Sequence, residues 1–189
     1  MKIMVISDDV YYQYGVSCLF NGAFCINPVD FTDTFPLNTL NDFEAIIVNI
    51  KSYSLLFRVI SLIKRFASGK IFIEYSGRAF DRMVLNAGGI YILSGKMTMK
   101  NYSAQVRKCM SGHARIISLP VTEVTDFEWL LFYMFYAGRS ARNIAEMVSI
   151  PEKKISLYKR IVLQKLRVVA MNAAAEARLV CLICLLQSR

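Results

Sequence analysis

The sequence predicts two domains of different class, an α/β domain followed by an all-α domain. Three observations predict this division. Short continuous apolar runs alternate with helix-like runs over residues 1–112, the pattern from residue 123 onward is helical, and residues 113–122 between them contain Pro120 and no periodicity. With 189 residues, 55% of them apolar, and a mean hydropathy of +0.38, there is material for two small cores and no case for disorder. No internal repeat or low-complexity segment is visible.

Taken in order, Lys2 to Ile6 reads as a buried strand that ends in Ser7-Asp8-Asp9, and Val10 to Phe20 as a helix. Ala23 to Val29 is a weaker strand and Glu44 to Ile50 a strong one. Leu55 to Ala67 carries apolar residues at 55, 56, 59, 60, 63 and 66, which is helical spacing. Lys70 to Tyr75 is a strand, Phe80 to Asn86 a short helix, Gly89 to Leu93 a strand, and Tyr102 to Met110 a last helix that stops at Ser111-Gly112. Continuous apolar strands between helices imply a parallel sheet covered on both faces, and five strands in this length suggest a flavodoxin-like, doubly wound domain. Ligands of such sheets sit at the carboxyl ends of the strands, so Asp8, Asp9, Asn49, the Tyr75-Ser76 pair and Ser94 are the candidate site residues.

The second domain opens on a capping box, Thr125-Asp126-Phe127-Glu128. The helix that follows, Trp129 to Ala137, is nearly all apolar and is expected to be buried; Gly138 ends it. Ser140 can cap a second helix that turns Ile144, Ala145 and Val148 inward. A short turn at Ser149-Ile150 leads to Pro151, which opens a third helix over about Glu152 to Leu166. Along this third helix Ile155, Val162 and Leu166 form one stripe, with Tyr158 beside it. Lys153, Leu157, Arg160 and Gln164 lie opposite, with Ser156 at the edge, and Lys154, Lys159 and Lys165 flank them. One face can pack while the other offers cations for phosphate and guanine beside apolar atoms for thymine methyls, the requirement for a helix entering a major groove.

Charge supports the same reading. The net charge is +9, and between Arg139 and Arg167 there are eight basic residues against two acids. Clustered positive charge suits a polyanion. Other function classes are short of parts. His113 is the sole histidine, placed near the linker, so zinc sites built on several histidines and His-based triads are impossible or short of parts. No metal, cofactor or catalytic residue is expected, and the chain is not read as an enzyme. Cys18, Cys25, Cys109, Cys181 and Cys184 are scattered; the one CxxC lies in an apolar tail without a second pair, as small core residues do in a reducing compartment. The longest uncharged run, Val10 to Val29, holds Gln13, Asn21, Asn27 and Pro28 and makes a poor membrane span. The MKIMVISDD start lacks the form of a signal peptide, so a cytoplasmic protein is expected.

On these residues the segment Val124 to Val168 resembles the LuxR/FixJ/NarL-type helix-turn-helix family without a gap. The matches are Thr125 and Glu128, Gly138 and Ser140, Ile144-Ala145, Ile150, Glu152-Lys153, Ile155, Lys165-Leu166 and Val168. The resemblance implies a four-helix domain in which Ser156, Leu157 and Arg160 read bases. It implies that Lys153, Lys154, Tyr158 and Lys165 lie near the DNA backbone, and that a tail helix over about Asn172 to Leu186 mediates dimerisation. Pro151, Tyr158 and Met171 depart from the family pattern, which carries a capping Ser or Thr, a His and an Arg there.

The first domain resembles a response-regulator receiver, through Asp8-Asp9 after the first strand, the YYQYGVSCLF helix and the AGGIYIL segment. Receivers accept phosphate on an Asp ending the third strand, hold Mg²⁺ with an acid pair and carry a Lys after the fifth strand. Here Asn49 stands at the acceptor position and Ser94 at the Lys position. An uncharged amide is a poor nucleophile, and the remnant pair Asp8 and Asp9 is a weak Mg²⁺ site without a third acid. The expectation is therefore a pseudo-receiver similar to that of the auxiliary regulators of enteric bacteria, which pair with a phosphorylatable regulator to control capsule or other surface structures. The expected function is a bacterial sequence-specific transcription regulator of double-stranded DNA, independent of phosphorylation, acting as a homodimer or as a heterodimer with another response regulator. The alternative is a co-regulator that modifies a partner transcription factor and binds little DNA itself.

Overall fold

The structure is a computed structural model and describes residues 1–75, 84–95, 97–118, 124–136 and 138–165. The chain divides into two compact units close to residue 117. Among the described residues no helix is long and apolar enough to cross a membrane.

Among the described residues the first unit holds seven strands: β1 (Ile3–Ser7), β2 (Phe24–Ile26), β3 (Ala45–Asn49), β4 (Lys70–Tyr75), β5 (Val84–Ala87), β6 (Ile90–Ser94) and β7 (Ile116–Ser118). Their order in the sheet is β2-β1-β3-β4-β6-β5-β7. The pairs β1–β2, β1–β3, β3–β4 and β4–β6 are parallel, and β5–β6 is antiparallel. The parallel part thus has the flavodoxin-like order, with the chain reversing its direction of travel at β1. Helices α1 (Val10–Leu19), α2 (Pro28–Asp33), α3 (Tyr53–Phe66) and α4 (Met99–Met110) connect these strands.

Two-sided burial explains why β1 and β3 are continuous apolar runs. Ile3 and Val5, Ala45 and Ile47, and Phe72 face a core shared with Val16 and Phe20 of the α1 segment and with Tyr102, Val106 and Cys109 of α4. The alternate residues Met4, Ile6, Ile46, Val48, Ile71 and Ile73 are buried on the opposite face. Right-handed crossovers assign that face to α2 and α3, since the connections from β2 to β3 and from β3 to β4 run opposite to that from β1 to β2.

Several sequence expectations change. Of the short helix expected over Phe80 to Asn86, the described part is strand: Val84 to Asn86 belong to β5, and residues 80–83 lie outside the described residues. The reason is the turn. Gly88 and Gly89 both have positive φ, 58° and 88°, and Ala87 pairs with Ile90, so the two glycines form a two-residue hairpin loop. The strand expected over Ala23 to Val29 is confined to Phe24–Ile26, because Asn27 caps α2 by accepting from the Val29 amide at 2.9 Å, and Pro28 starts the helix. The sheet reaches β7, inside the segment read as a linker, while residues 119–123 lie outside the described residues.

The second unit contains α5 (Asp126–Tyr136), α6 (Ala141–Val148) and α7 (Glu152–Lys165). Leu131, Ile144 and Ile155, one from each helix, form its core, with Val148, Ile150 and Tyr158 packed against them. The expected caps are present. Glu128 N donates to Thr125 Oγ1 at 3.3 Å, Thr125 N donates to Glu128 Oε2 at 2.8 Å, and Asn143 N donates to Ser140 Oγ at 3.2 Å. Gly138 is left-handed with φ 78°, and Ser149 ends α6 in the same region at φ 54°. Pro151 sits just before α7, where its carbonyl accepts from the Lys154 and Ile155 amides. One expectation fails: α5 is not wholly buried, since Leu130 is 47% and Tyr133 65% exposed. Leu166 and the tail helix expected over Asn172 to Leu186, with Met171, Cys181 and Cys184, lie outside the described residues.

Candidate nucleic-acid interface

Helix α7 separates its two faces as its periodicity requires. Ile155 and Val162 are fully buried, and Lys153, Lys154, Ser156, Leu157, Arg160 and Gln164 are exposed. Leu157 is the apolar member of that surface, 48% exposed. Helix α6 adds two exposed cations, Arg139 just before it and Arg142 in its first turn, the latter 3.3 Å from Glu146. Among the described residues of α7 the exposed face therefore offers several cations and one large apolar side chain, while the opposite face is buried in the core.

Lys165 and Tyr158 of the expected contact set, and Lys159 beside them, make contacts within the unit. Lys165 Nζ lies 2.8 Å from both carboxylate oxygens of Glu128, whose side chain is buried. This ion pair ties the last turn of α7 to the capping box of α5, so the Lys165 charge is already committed within the unit. Tyr158 is half-buried against the core and meets the Phe127 ring edge-on at 5.6 Å. Lys159 is half-buried, with its ammonium 5.7 Å from the centre of the Phe135 ring. For Glu128, burial pushes the carboxyl pKa up. The Lys165 ion pair and the two donors from Thr125 outweigh it and hold the carboxyl below its ordinary value.

In the first unit the topology brings the candidate residues to the carboxyl ends of the strands. Ser7 is in register with Asn49, and Tyr75 with Ser94. Ser94 is fully buried, and Ser76 lies outside the described residues. The acid pair has structural work. Asp9 Oδ1 accepts from the Tyr12 amide at 3.1 Å as the cap of α1, and Asp9 Oδ2 lies 3.3 Å from Lys51 Nζ. Asp8 Oδ2 accepts from the Lys51 amide at 3.0 Å, bridging the ends of β1 and β3. The Tyr12 amide first, then Lys51, holds Asp9 below the ordinary carboxylate range. Lys51, two residues beyond β3, joins the site only through the register of β1 against β3 and has no local sequence signal.

Both carboxylates already accept from the chain and the third position is the uncharged amide Asn49, so this strand end offers a divalent cation fewer anionic oxygens than a three-acid site would. Replacing Asp9 by Ala is expected to lower the thermal midpoint of the first unit, and Asp9→Asn to keep most of the cap, as read by circular dichroism. Because the folded pKa is depressed, this contribution is present above the unfolded value and fades as pH falls.

No family model matches the chain, and no curated protein matches it. Solved structures do. A complex of the two-component response regulator RcsB with DNA is 15% identical over 94% of this chain and 96% of that one, with a TM-score of 0.56. RcsB from Salmonella enterica serovar Typhimurium, bound to promoter rprA in the presence of phosphomimetic BeF3-, is also 15% identical, over 95% and 98%, with a TM-score of 0.55. Two RcsB dimers bound to two parallel DNAs give 14% identity over 94% and 96%, with a TM-score of 0.54.

The chain has a response-regulator-like fold. At these identities the likeness speaks for architecture alone. Within that fold, the parallel part of the sheet is receiver-like, and the β5 hairpin and β7 extend it beyond β6.

Proposed function

We propose that this chain is a sequence-specific DNA-binding transcription regulator that works without phosphorylation, as a homodimer or as a heterodimer with another response regulator, in the cytoplasm. The observation that carries this reading is the exposed face of α7. Lys153, Ser156, Leu157, Arg160 and Gln164 stand clear of a buried Ile155–Val162 stripe. Arg160 can reach guanine N7 and O6 with two donors, Leu157 can meet a thymine methyl, and Lys153 and Lys154 can meet phosphates. The RcsB–DNA complexes support the reading by their fold. Asn49 and the engagement of both acids support independence from phosphate, because an uncharged amide stands at the acceptor position and both acids already accept from the chain.

The test is a filter-binding series on promoter DNA over a range of salt. Affinity is expected to fall steeply as salt rises. Lys154→Ala is expected to reduce the salt slope by about one, and Arg160→Ala to cost about 1–3 kcal/mol with relaxed specificity. A small phosphodonor is expected to leave the binding curve unmoved. Binding indifferent to salt and to Arg160→Ala would remove the proposal. A second reading, a co-regulator that acts on a partner protein, is favoured by the apolar stripe of Phe127, Leu130 and Tyr133 exposed on α5. It requires that the purified chain bind promoter DNA only when the partner is present.

A further inference from the structure

The residues that lead into β1, β2 and β3 enclose a cavity of about 630 Å³. It lies at the amino ends of these strands, the end of the sheet away from Asp8 and Asn49. Small-molecule sites have volumes of about 300–1,000 Å³, with mostly apolar walls and a few placed polar groups. The walls here are aromatic: Phe20 ends the α1 segment, Phe24 opens β2, Phe35 follows α2 and Phe43 leads into β3. The Phe24 ring centre lies 5.9 Å from those of both Phe35 and Phe43, tilted by 46° and 42°. Phe24 still leaves 46% of itself exposed. Asn21 and Gly22, at φ 53° and 88°, turn the chain from α1 into β2, and a Cβ at Gly22 would meet nothing within 4 Å. A half-open ring beside two others can receive one more ring in the tilted or offset contacts that aromatic groups prefer.

The charges at the rim specify the rest of the ligand. Glu44 is committed to the chain, accepting from the Lys2 amide at 2.8 Å and lying 3.4 Å from the Met1 amine. Lys2 and Asp42 are held more loosely. Their charged atoms are 3.6 Å apart, both side chains are 60% exposed, and the Lys2 ammonium stands 5.1 Å from the centre of the Phe43 ring. An exposed pair of this kind contributes little by itself, so a ligand that offers both charges can replace it. A further cation, Arg107, meets the Phe20 ring at 5.6 Å but is not part of the cavity lining. A cation and an anion side by side above an aromatic wall match an α-amino acid, whose ammonium and carboxylate share one carbon. An aromatic amine would leave Lys2 unanswered, and an aromatic acid would leave Asp42 so.

We propose that this cavity binds a free aromatic α-amino acid, with its ring among Phe24, Phe35 and Phe43, its carboxylate on Lys2 and its ammonium on Asp42. The site goes beyond the proposed function and does not rest on it. It gives the first unit a small-molecule ligand at the end of the sheet that the acid pair does not occupy.

Isothermal titration calorimetry of the full chain tests this, with L-phenylalanine and L-tryptophan each raised to about 10 mM. At least one is expected to bind with a dissociation constant of about 1 mM or tighter, within reach of a ligand of this size. 2-Phenylethylamine, 3-phenylpropionate and L-leucine are each expected to bind at least about threefold more weakly. Lys2→Met should abolish the preference for the amino acid over the amine, and Asp42→Asn the preference over the acid. Both side chains are exposed, so unchanged thermal midpoints are expected. Phe24→Ala should weaken the aromatic ligands about fivefold. Failure of both amino acids to bind, leucine binding as tightly as they do, or preferences untouched by Lys2→Met and Asp42→Asn would each overturn the proposal. Loss of Arg160-dependent DNA binding would count against the α7 reading and leave this site standing.

Discussion

Lys165→Ala is expected to destabilise the second unit by about 3 kcal/mol, the lower part of the range for breaking a buried ion pair. The lower part applies because the Lys165 side chain is still 28% exposed, whereas that of Glu128 is only 6% exposed. Removing the lysine leaves a buried carboxylate with two donors from Thr125 and no counter-charge. Trp129, the single tryptophan, is the neighbour of Glu128 in sequence and reports this unit through its fluorescence. Its denaturation midpoint should fall, while the circular dichroism signal of the first unit persists. The pair also sets a pH dependence. The folded pKa of Glu128 lies below its ordinary value of 4.5, so the stabilisation is complete above that value and is lost as pH falls through the folded pKa. Lys165→Ala should flatten the acid limb of the tryptophan-detected stability curve. A variant with an unchanged midpoint and acid limb would show that the pair contributes nothing.

The second large effect is expected at Ile144. It is fully buried, packed among the described residues with Leu131 of α5 and Ile155 of α7. Ile144→Ala leaves a cavity that three short helices cannot collapse around, at a cost of about 2–5 kcal/mol. A unit this small has little stability in reserve, so the tryptophan signal should report largely unfolded protein and DNA binding should vanish. By contrast Leu157→Ala, on the exposed face of the neighbouring helix, should change stability by less than about 0.5 kcal/mol. If Ile144→Ala unfolds no more readily than Leu157→Ala, the packing described for this unit is wrong.

Legibility in the sequence followed the strength of local signals. Strands β1, β3 and β4 were readable because Ile3–Ile6, Ala45–Val48 and Ile71–Ile73 are buried whichever face they point to, so each strand holds an unbroken apolar run. The caps at Thr125 and Ser140 and the stop at Gly138 were readable because they rest on chemistry within a few residues. Strand β5 was misread as helix because four residues are too few to display a period, although Gly88-Gly89 between apolar runs carried the hairpin signal. Helix α2 was missed for the same reason of length, with Asn27-Pro28 as its marker.

Composition misled at α5. An almost wholly apolar helix invites the inference of burial, yet only Glu128, Leu131 and Phe132 among its described side chains are buried, and the acid is one of them. No local pattern announces that Glu128 and Lys165, 37 residues apart, meet. Their pairing depends on how α5 and α7 pack, and it converts a cation read as a phosphate contact into part of the scaffold. The exposed face of α7 was legible because one helical period decides it. Lys51 was not, because its role depends on the register of β1 against β3.

The α7 face is proposed to read DNA sequence through Arg160. This is tested most directly by mapping bound genomic sites for the wild type and for Arg160→Ala at equal protein level. Discrete sites sharing one motif are expected for the wild type, with their occupancy collapsing in the variant while Asn49→Ala leaves the map unchanged. Sites absent in the wild type, or equally occupied by Arg160→Ala, would contradict it.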